Sequence, residues 1–228
     1  MLSECVQSNI STTYPFFADE AVAEEVLSFM MKGGLEYAPV LHQEKLISMV
    51  SIMELLLTSQ SKKINNQRLI DLPLRHTESI GFQEHLLDFF PRIFNFSGTV
   101  IPVTHDDGRY AGIIEKKTIL EKISELFHLG KNGMTLELYV PSSRLKLSEV
   151  IAAFEKNDAT VLSCGQYHAA PDGNGMFVTF RIQTHDWFRL LQNIEKYGYS
   201  ISYSSTVLNK GEDELREKAL EFIRLMDM

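Results

Sequence analysis

Cysteine is almost absent from this chain. Cys5 and Cys164 are the only two in 228 residues, and they stand far apart. A disulfide framework or a four-cysteine zinc site needs more of them at closer spacing. Neither is expected, and a reducing cytoplasm is the expected location. Positive charge is also scarce. Lys and Arg total 22 against 30 Asp and Glu, a net of -8. A nucleic-acid binder neutralises phosphates with a basic face, so no nucleic-acid partner is expected. No apolar run approaches the ~20 residues that span a bilayer. Met1-Leu-Ser-Glu-Cys-Val6 has neither the basic start nor the apolar centre of a signal peptide, and no membrane partner is expected. Catalytic signatures are missing too. His42, His76, His85, His105, His128, His168 and His185 include no pair at metal-ligand spacing. No Gly-rich phosphate loop and no nucleophile elbow occurs. The expectation is a non-enzyme with no metal.

What is present is an ordinary globular composition, 44% hydrophobic and 23% charged, enough to bury a core. The acidity is uneven. Residues 1–130 carry 11 basic and 17 acidic side chains, whereas 131–228 carry 11 and 13. The change falls near His128-Leu-Gly-Lys-Asn-Gly133, where two glycines and an Asn follow a helical pattern. Residues 129–133 therefore read as a linker.

The first half repeats itself. Tyr37-Ala-Pro-Val40 and Val100-Ile-Pro-Val103 each open a strand that is followed by a polar turn, a second apolar strand and a helix. The second turn, Asp106-Asp107-Gly108, carries a hairpin signal. The closing helices are expected at Ile52–Ser59 and Lys116–Leu126. A helix also precedes each Pro-Val strand. Over Ala21–Met31 it places Val22, Val26, Phe29 and Met30 on one face. Over Phe82–Phe94 it is shortened or kinked by Pro91. Each copy spans roughly 60 residues.

This pattern resembles a tandem pair of CBS domains, the Bateman module; a coincidental α/β repeat is the alternative. The resemblance covers residues 1 to about 128. It implies two copies packed around a pseudo-twofold axis, with clefts that hold an adenosyl ligand such as AMP, ADP, ATP or S-adenosylmethionine. The family's nucleotide motif is a small residue, two apolar residues, Ser or Thr, two more, then Asp. In the first copy it falls on Ser48-Met-Val-Ser51-Ile-Met-Glu54. Ser51 fits the hydroxyl position, and Glu54 takes the Asp position one methylene longer. In the second copy it falls on Gly112-Ile-Ile-Glu115-Lys-Lys-Thr118. There Glu115 replaces the hydroxyl and would repel a phosphate. Thr118 replaces the Asp and loses the bidentate ribose contact. Lys116 and Lys117 stand beside them. Resemblance adds Thr13, Tyr14, Ala38 and Pro39 to the walls of the first copy. It adds His76, Thr77, Ile101 and Pro102 to those of the second. The same residues have plain structural readings: Ser51 as a helix N-cap, Glu54 as a first-turn charge, and Tyr14 as core or dimer packing.

The second half reads β-α-β-β-α-β, the ferredoxin-like plan. Leu136, Leu138 and Val140 alternate along a half-buried strand. The helix at Lys146–Lys156 carries Leu147, Val150, Ile151 and Phe154 on one face. Thr160–His168 and Gly175–Gln183 form a hairpin, Asp186–Tyr197 carries Phe188, Leu191, Ile194 and Tyr197, and Tyr199–Val207 closes the sheet. Order and length resemble an ACT domain, which implies dimerisation and amino-acid binding. The family's Asp-x-Pro-Gly loop is replaced here by Ser142-Ser-Arg-Leu145. Ser142 and Ser143 are helix caps on this reading, and Arg144 is a carboxylate anchor or a surface side chain. Beyond it, Leu215, Ala219, Phe222, Ile223 and Met226 form an amphipathic stripe.

The expected fold class is α/β and α+β. Two CBS units of β-α-β-β-α order cover 1–60 and 61–128, an ACT-like βαββαβ domain covers 134–208, and a C-terminal helix covers 209–228. The domain order resembles the acetoin-utilisation-type CBS–ACT proteins. That resemblance implies a non-catalytic, homodimeric regulatory module sensing a small ligand. The alternative is a ligand-free dimerisation or protein-interaction scaffold with degenerate sites.

Overall fold

The computed structural model describes residues 6–61, 66–130, 133–141, 146–169 and 175–205. The Ser142–Leu145 loop and the 209–228 helix expectation lie outside the described residues. The chain divides into two compact units, Met1–Ile123 and Ser124–Met228.

In the first unit, β1 (Phe17–Ala18) leads into α1 (Ala23–Gly33). The hairpin β2 (Tyr37–His42) and β3 (Lys45–Ser51) follows, then α2 (Ile52–Ser61). The plan repeats with β4 (Ile80–Gly81), α3 (Leu86–Phe89), β5 (Val100–Thr104), β6 (Tyr110–Glu115) and α4 (Lys116–Leu126). Pro91 sits at the start of a 3-10 turn at Phe90–Asn95, so α3 is cut to one turn as its ring geometry dictates. Each copy builds a three-stranded sheet, β1-β2-β3 and β4-β5-β6, with the first strand parallel and the hairpin antiparallel.

The two copies are interlaced. The segment leading into the second copy bridges back to the first copy's last strand, at Ser48↔His76. The segment leading into the first copy bridges to the second copy's last strand, at Ser11↔Ile113. Ser48 secures its crossing through its hydroxyl, which donates to the Arg75 carbonyl at 2.6 Å. Gly112 occupies the matching place in the other crossing. Its φ is +144°, and a Cβ there would meet Ile10 Cγ2 at 2.4 Å and the Ser11 carbonyl oxygen at 2.6 Å. Only glycine lets that segment approach so closely.

Each copy keeps its own core. Val26, Met30, Val40, Val50 and Leu55 anchor the first, and Leu86, Phe89, Val103, Ile114 and Ile119 the second. On α1 the buried face is Ala23, Val26, Leu27 and Met30. Phe29 was expected on that face but is 50% exposed, its ring edge-on to Phe17 at 5.5 Å. Ala23, Val26, Leu27 and Met30 stand at i, i+3, i+4 and i+7 in a single helical stripe, and Phe29 falls beside it.

The second unit is a β-α-β-β-α-β layer: β7 (Met134–Pro141), α5 (Leu147–Glu155), β8 (Thr160–His168), β9 (Gly175–Gln183), α6 (Trp187–Lys196) and β10 (Ser200–Ser204). All neighbours are antiparallel in the order β10-β7-β9-β8, the ferredoxin-like order. Leu136, Leu138 and Val140 bury the alternation of β7 against Val150 and Phe154 of α5. On α6 the buried residues are Trp187, Leu190 and Ile194. Phe188 and Tyr197, expected to face the core, are 62% and 53% exposed. Ile194 belongs to both faces and Leu191 packs against the same core, so the helix is turned by only about 40° from the expected face.

Candidate functional site

The interlacing leaves a cavity of about 340 Å3 in the first unit. Ser51 and Glu54 reach it from the β3–α2 junction, His76 and Thr77 from the crossing segment, and Pro102 from β5. Tyr37, Arg75, Glu78, Asn95 and Ser97 complete its polar edge. It therefore gathers residues of both copies. The copies meet closely here because Gly98 has φ +76° and no side chain. A Cβ at that position would lie 2.3 Å from the Tyr37 ring.

Ser51 and Glu54 are tied to each other. The Ser51 amide donates to a Glu54 carboxylate oxygen at 3.1 Å, and the Glu54 amide donates to the Ser51 hydroxyl at 3.1 Å. This is the reciprocal capping box that Ser-x-x-Glu makes at a helix start. Ser51 is nearly buried, at 6% exposure. One Glu54 oxygen, Oε2, serves the cap, which leaves Oε1 to accept from a hydroxyl beside it. The charges in the cavity wall are Glu54, Glu78 and Arg75, with His76 beside them. Among the described residues the Arg75 guanidinium has no hydrogen-bonded or ionic partner.

The other sequence-predicted residues lie elsewhere. Ala38 and Ile101 are fully buried, one in each core, and Pro39 is buried on β2. Thr13 is exposed, within 3.5 Å of Ser11. Tyr14 donates to the Tyr37 carbonyl at 2.7 Å. Burial holds its phenol above the ordinary value, and the carboxylates of Glu115 and Glu36 push it the same way. Glu115 is thus an acidic neighbour of Tyr14, and Thr118 sits half-buried in the first turn of α4. Neither adjacent lysine forms an ion pair with Glu115. Lys116 donates to the Phe96 carbonyl at 2.6 Å, and Lys117 pairs with Glu121 at 3.7 Å. The second motif position is acidic and hydroxyl-free, so an anionic ligand is opposed there.

Sequence reasoning missed Tyr37, Arg75, Glu78, Asn95 and Ser97. Arg75 and Glu78 flank the flagged His76-Thr77 pair, so the segment was visible but its reach was not. Asn95 ends the 3-10 turn and Ser97 follows it in an irregular stretch, neither with a periodic signal. Among the described residues there is no cluster of acid, His or Cys side chains able to hold a metal ion. No helix among them is long and apolar enough to cross a membrane.

No family model matches the chain, and no curated protein matches it. Its structural neighbours are CBS-domain pair proteins. CbpB in complex with c-di-AMP matches at 20% identity and TM-score 0.48, over 56% of this chain and 89% of that one. CBSX2 from Arabidopsis thaliana matches at 16% and 0.47, over 53% and 94%; it is also matched in complex with AMP. A CBS domain pair/ACT domain protein from Thermotoga maritima matches at 14% and 0.47, over 53% and 97%.

Proposed function

We propose that this protein is a non-catalytic regulatory module whose N-terminal half, a CBS-type pair over 1–60 and 61–128, senses an adenine nucleotide. The cavity that joins Ser51 and Glu54 of one copy to Pro102 of the other carries this reading. The nucleoside lies against Tyr37 and Pro102, the free Glu54 oxygen accepts from the ribose, and a phosphate meets Arg75. One guanidinium faces two carboxylates, Glu54 and Glu78, so a single phosphate suits the site better than three. AMP is therefore the favoured ligand over ADP or ATP. A ligand that draws the copies together shifts the unit between states only by its differential affinity for them. Residues 134–208 are the ACT-like partner of that sensor, and the module acts as a homodimer. Phe29 on α1 and Leu120 on α4, each at least half exposed, offer apolar surface to a second copy.

Isothermal titration of the full chain with AMP, ADP, ATP, S-adenosylmethionine and c-di-AMP tests the reading. Binding of AMP more tightly than ATP is expected. No heat from any of the five at millimolar concentration would sink it. The capping box and the acidic second position favour a second reading, a ligand-free scaffold that binds a protein partner. A stable homodimer that binds none of the nucleotides is the outcome that reading requires.

A further inference from the structure

Next to the cavity lies a second hollow, of about 290 Å3. Its walls are mainly apolar, Val50, Leu55, Leu57, Leu72, Pro73 and Leu74, with the Thr58 hydroxyl among them. Met49, Glu54 and Arg75 line this hollow and the polar cavity alike. The two spaces therefore adjoin, and the side chains between them include a flexible thioether and an exposed, unpartnered guanidinium. Met adapts its shape readily to what lies against it. Glu54, by contrast, is pinned by its capping bonds.

A polar space and an apolar space meeting at one cation define an amphiphilic ligand. A mononucleotide alone would leave the leucine-lined hollow against water. The proline and leucines of residues 72–74 form that wall next to the Arg75 that would hold the phosphate. An apolar arm esterified to the phosphate would enter the hollow directly from that point.

We propose that the ligand is a phosphate diester, with a nucleoside head in the polar cavity, the phosphate on Arg75 and a hydrocarbon arm in the hollow beside α2. The head group rests on the adenine-nucleotide reading above, whereas the arm rests on the hollow alone.

Titration calorimetry on the full chain separates the two. Three probes carry the same single negative charge: adenosine 5′-methyl phosphate, adenosine 5′-octyl phosphate and methyl octyl phosphate, each below its micelle concentration. Each methylene moved out of water contributes about fourfold. The octyl ester is expected to bind at least tenfold tighter than the methyl ester. Leu57 is 60% exposed at the rim, so Leu57→Gln leaves the fold intact, which its thermal midpoint verifies. That variant should bind the methyl ester normally and cut the octyl advantage below threefold. Equal binding of the two adenosine esters overturns the arm and leaves the nucleotide reading standing. An octyl advantage that survives Leu57→Gln overturns the placement of the arm. Methyl octyl phosphate binding as tightly as the octyl adenosine ester overturns the head group. Failure of all three probes overturns both.

Discussion

Glu54 holds two roles that substitution can separate. Its Oε2 accepts the Ser51 amide at 3.1 Å within the capping box, and its other oxygen faces the cavity in the proposed complex. Glu54→Ala removes both, while Glu54→Gln keeps an acceptor for the amide, since Gln serves a capping box as Glu does. Glu54 is mostly exposed, so losing the cap bond costs about 0.5–1 kcal/mol, the lower part of the capping range. For a unit of this size that lowers Tm by roughly 4 °C or less. A hydrogen bond to a charged acceptor contributes more, about 1.5–3 kcal/mol, so the loss of the ribose contact weakens AMP by tenfold or more. The expected pattern is therefore a small stability loss with a large affinity loss for Ala, and near wild-type stability with reduced affinity for Gln. Urea denaturation and titration calorimetry on the same preparations read the two effects. AMP affinity unchanged in Glu54→Ala would refute the ribose contact. Stability equal to wild type in that variant would refute the cap.

Four other expectations follow from the packing. Gly112→Ala drives a methyl group into Ile10 and the Ser11 carbonyl, so a loss of about 1–3 kcal/mol is expected in urea; a neutral result would mean that the crossing is not as close as described. Phe180→Ala opens a cavity at a fully buried site in the second unit and should cost about 3–5 kcal/mol. Phe188→Ala, on the exposed face of α6, should stay within about 0.5 kcal/mol, and a large loss there would restore the face read from the sequence. Burial raises the phenols of Tyr14 and Tyr110 above their ordinary value of 10.0. The unfolded chain ionises first, so stability is full below pH 10 and falls as pH rises beyond it. Tyr14→Phe with Tyr110→Phe should flatten that decline in an alkaline denaturation series.

The period of apolar residues was enough to find nearly every element. Strands with Pro-Val openings and helices after them are local patterns, so the repeat and the β-α-β-β-α-β order could be read directly. Pro91 announced the shortened α3 because its effect on the backbone is local too. Helix facing was less legible. On α6 two overlapping stripes fit the helical period, Trp187-Leu190-Ile194 and Phe188-Leu191-Ile194-Tyr197, and only contact with the sheet selects between them. The same holds on α1, where Leu27 is buried and Phe29 is not.

By itself, then, the sequence determined the repeat, the element order and the Ser51–Glu54 pair, because each depends on residues within a few positions of one another. The tertiary structure decided what that pair is next to. Crossing segments at Ser48↔His76 and Ser11↔Ile113 bring Arg75, Tyr37 and Ser97 to one cavity from residues far apart in the chain. No local spacing encodes that convergence, since it arises only when two cores form and their leading segments exchange.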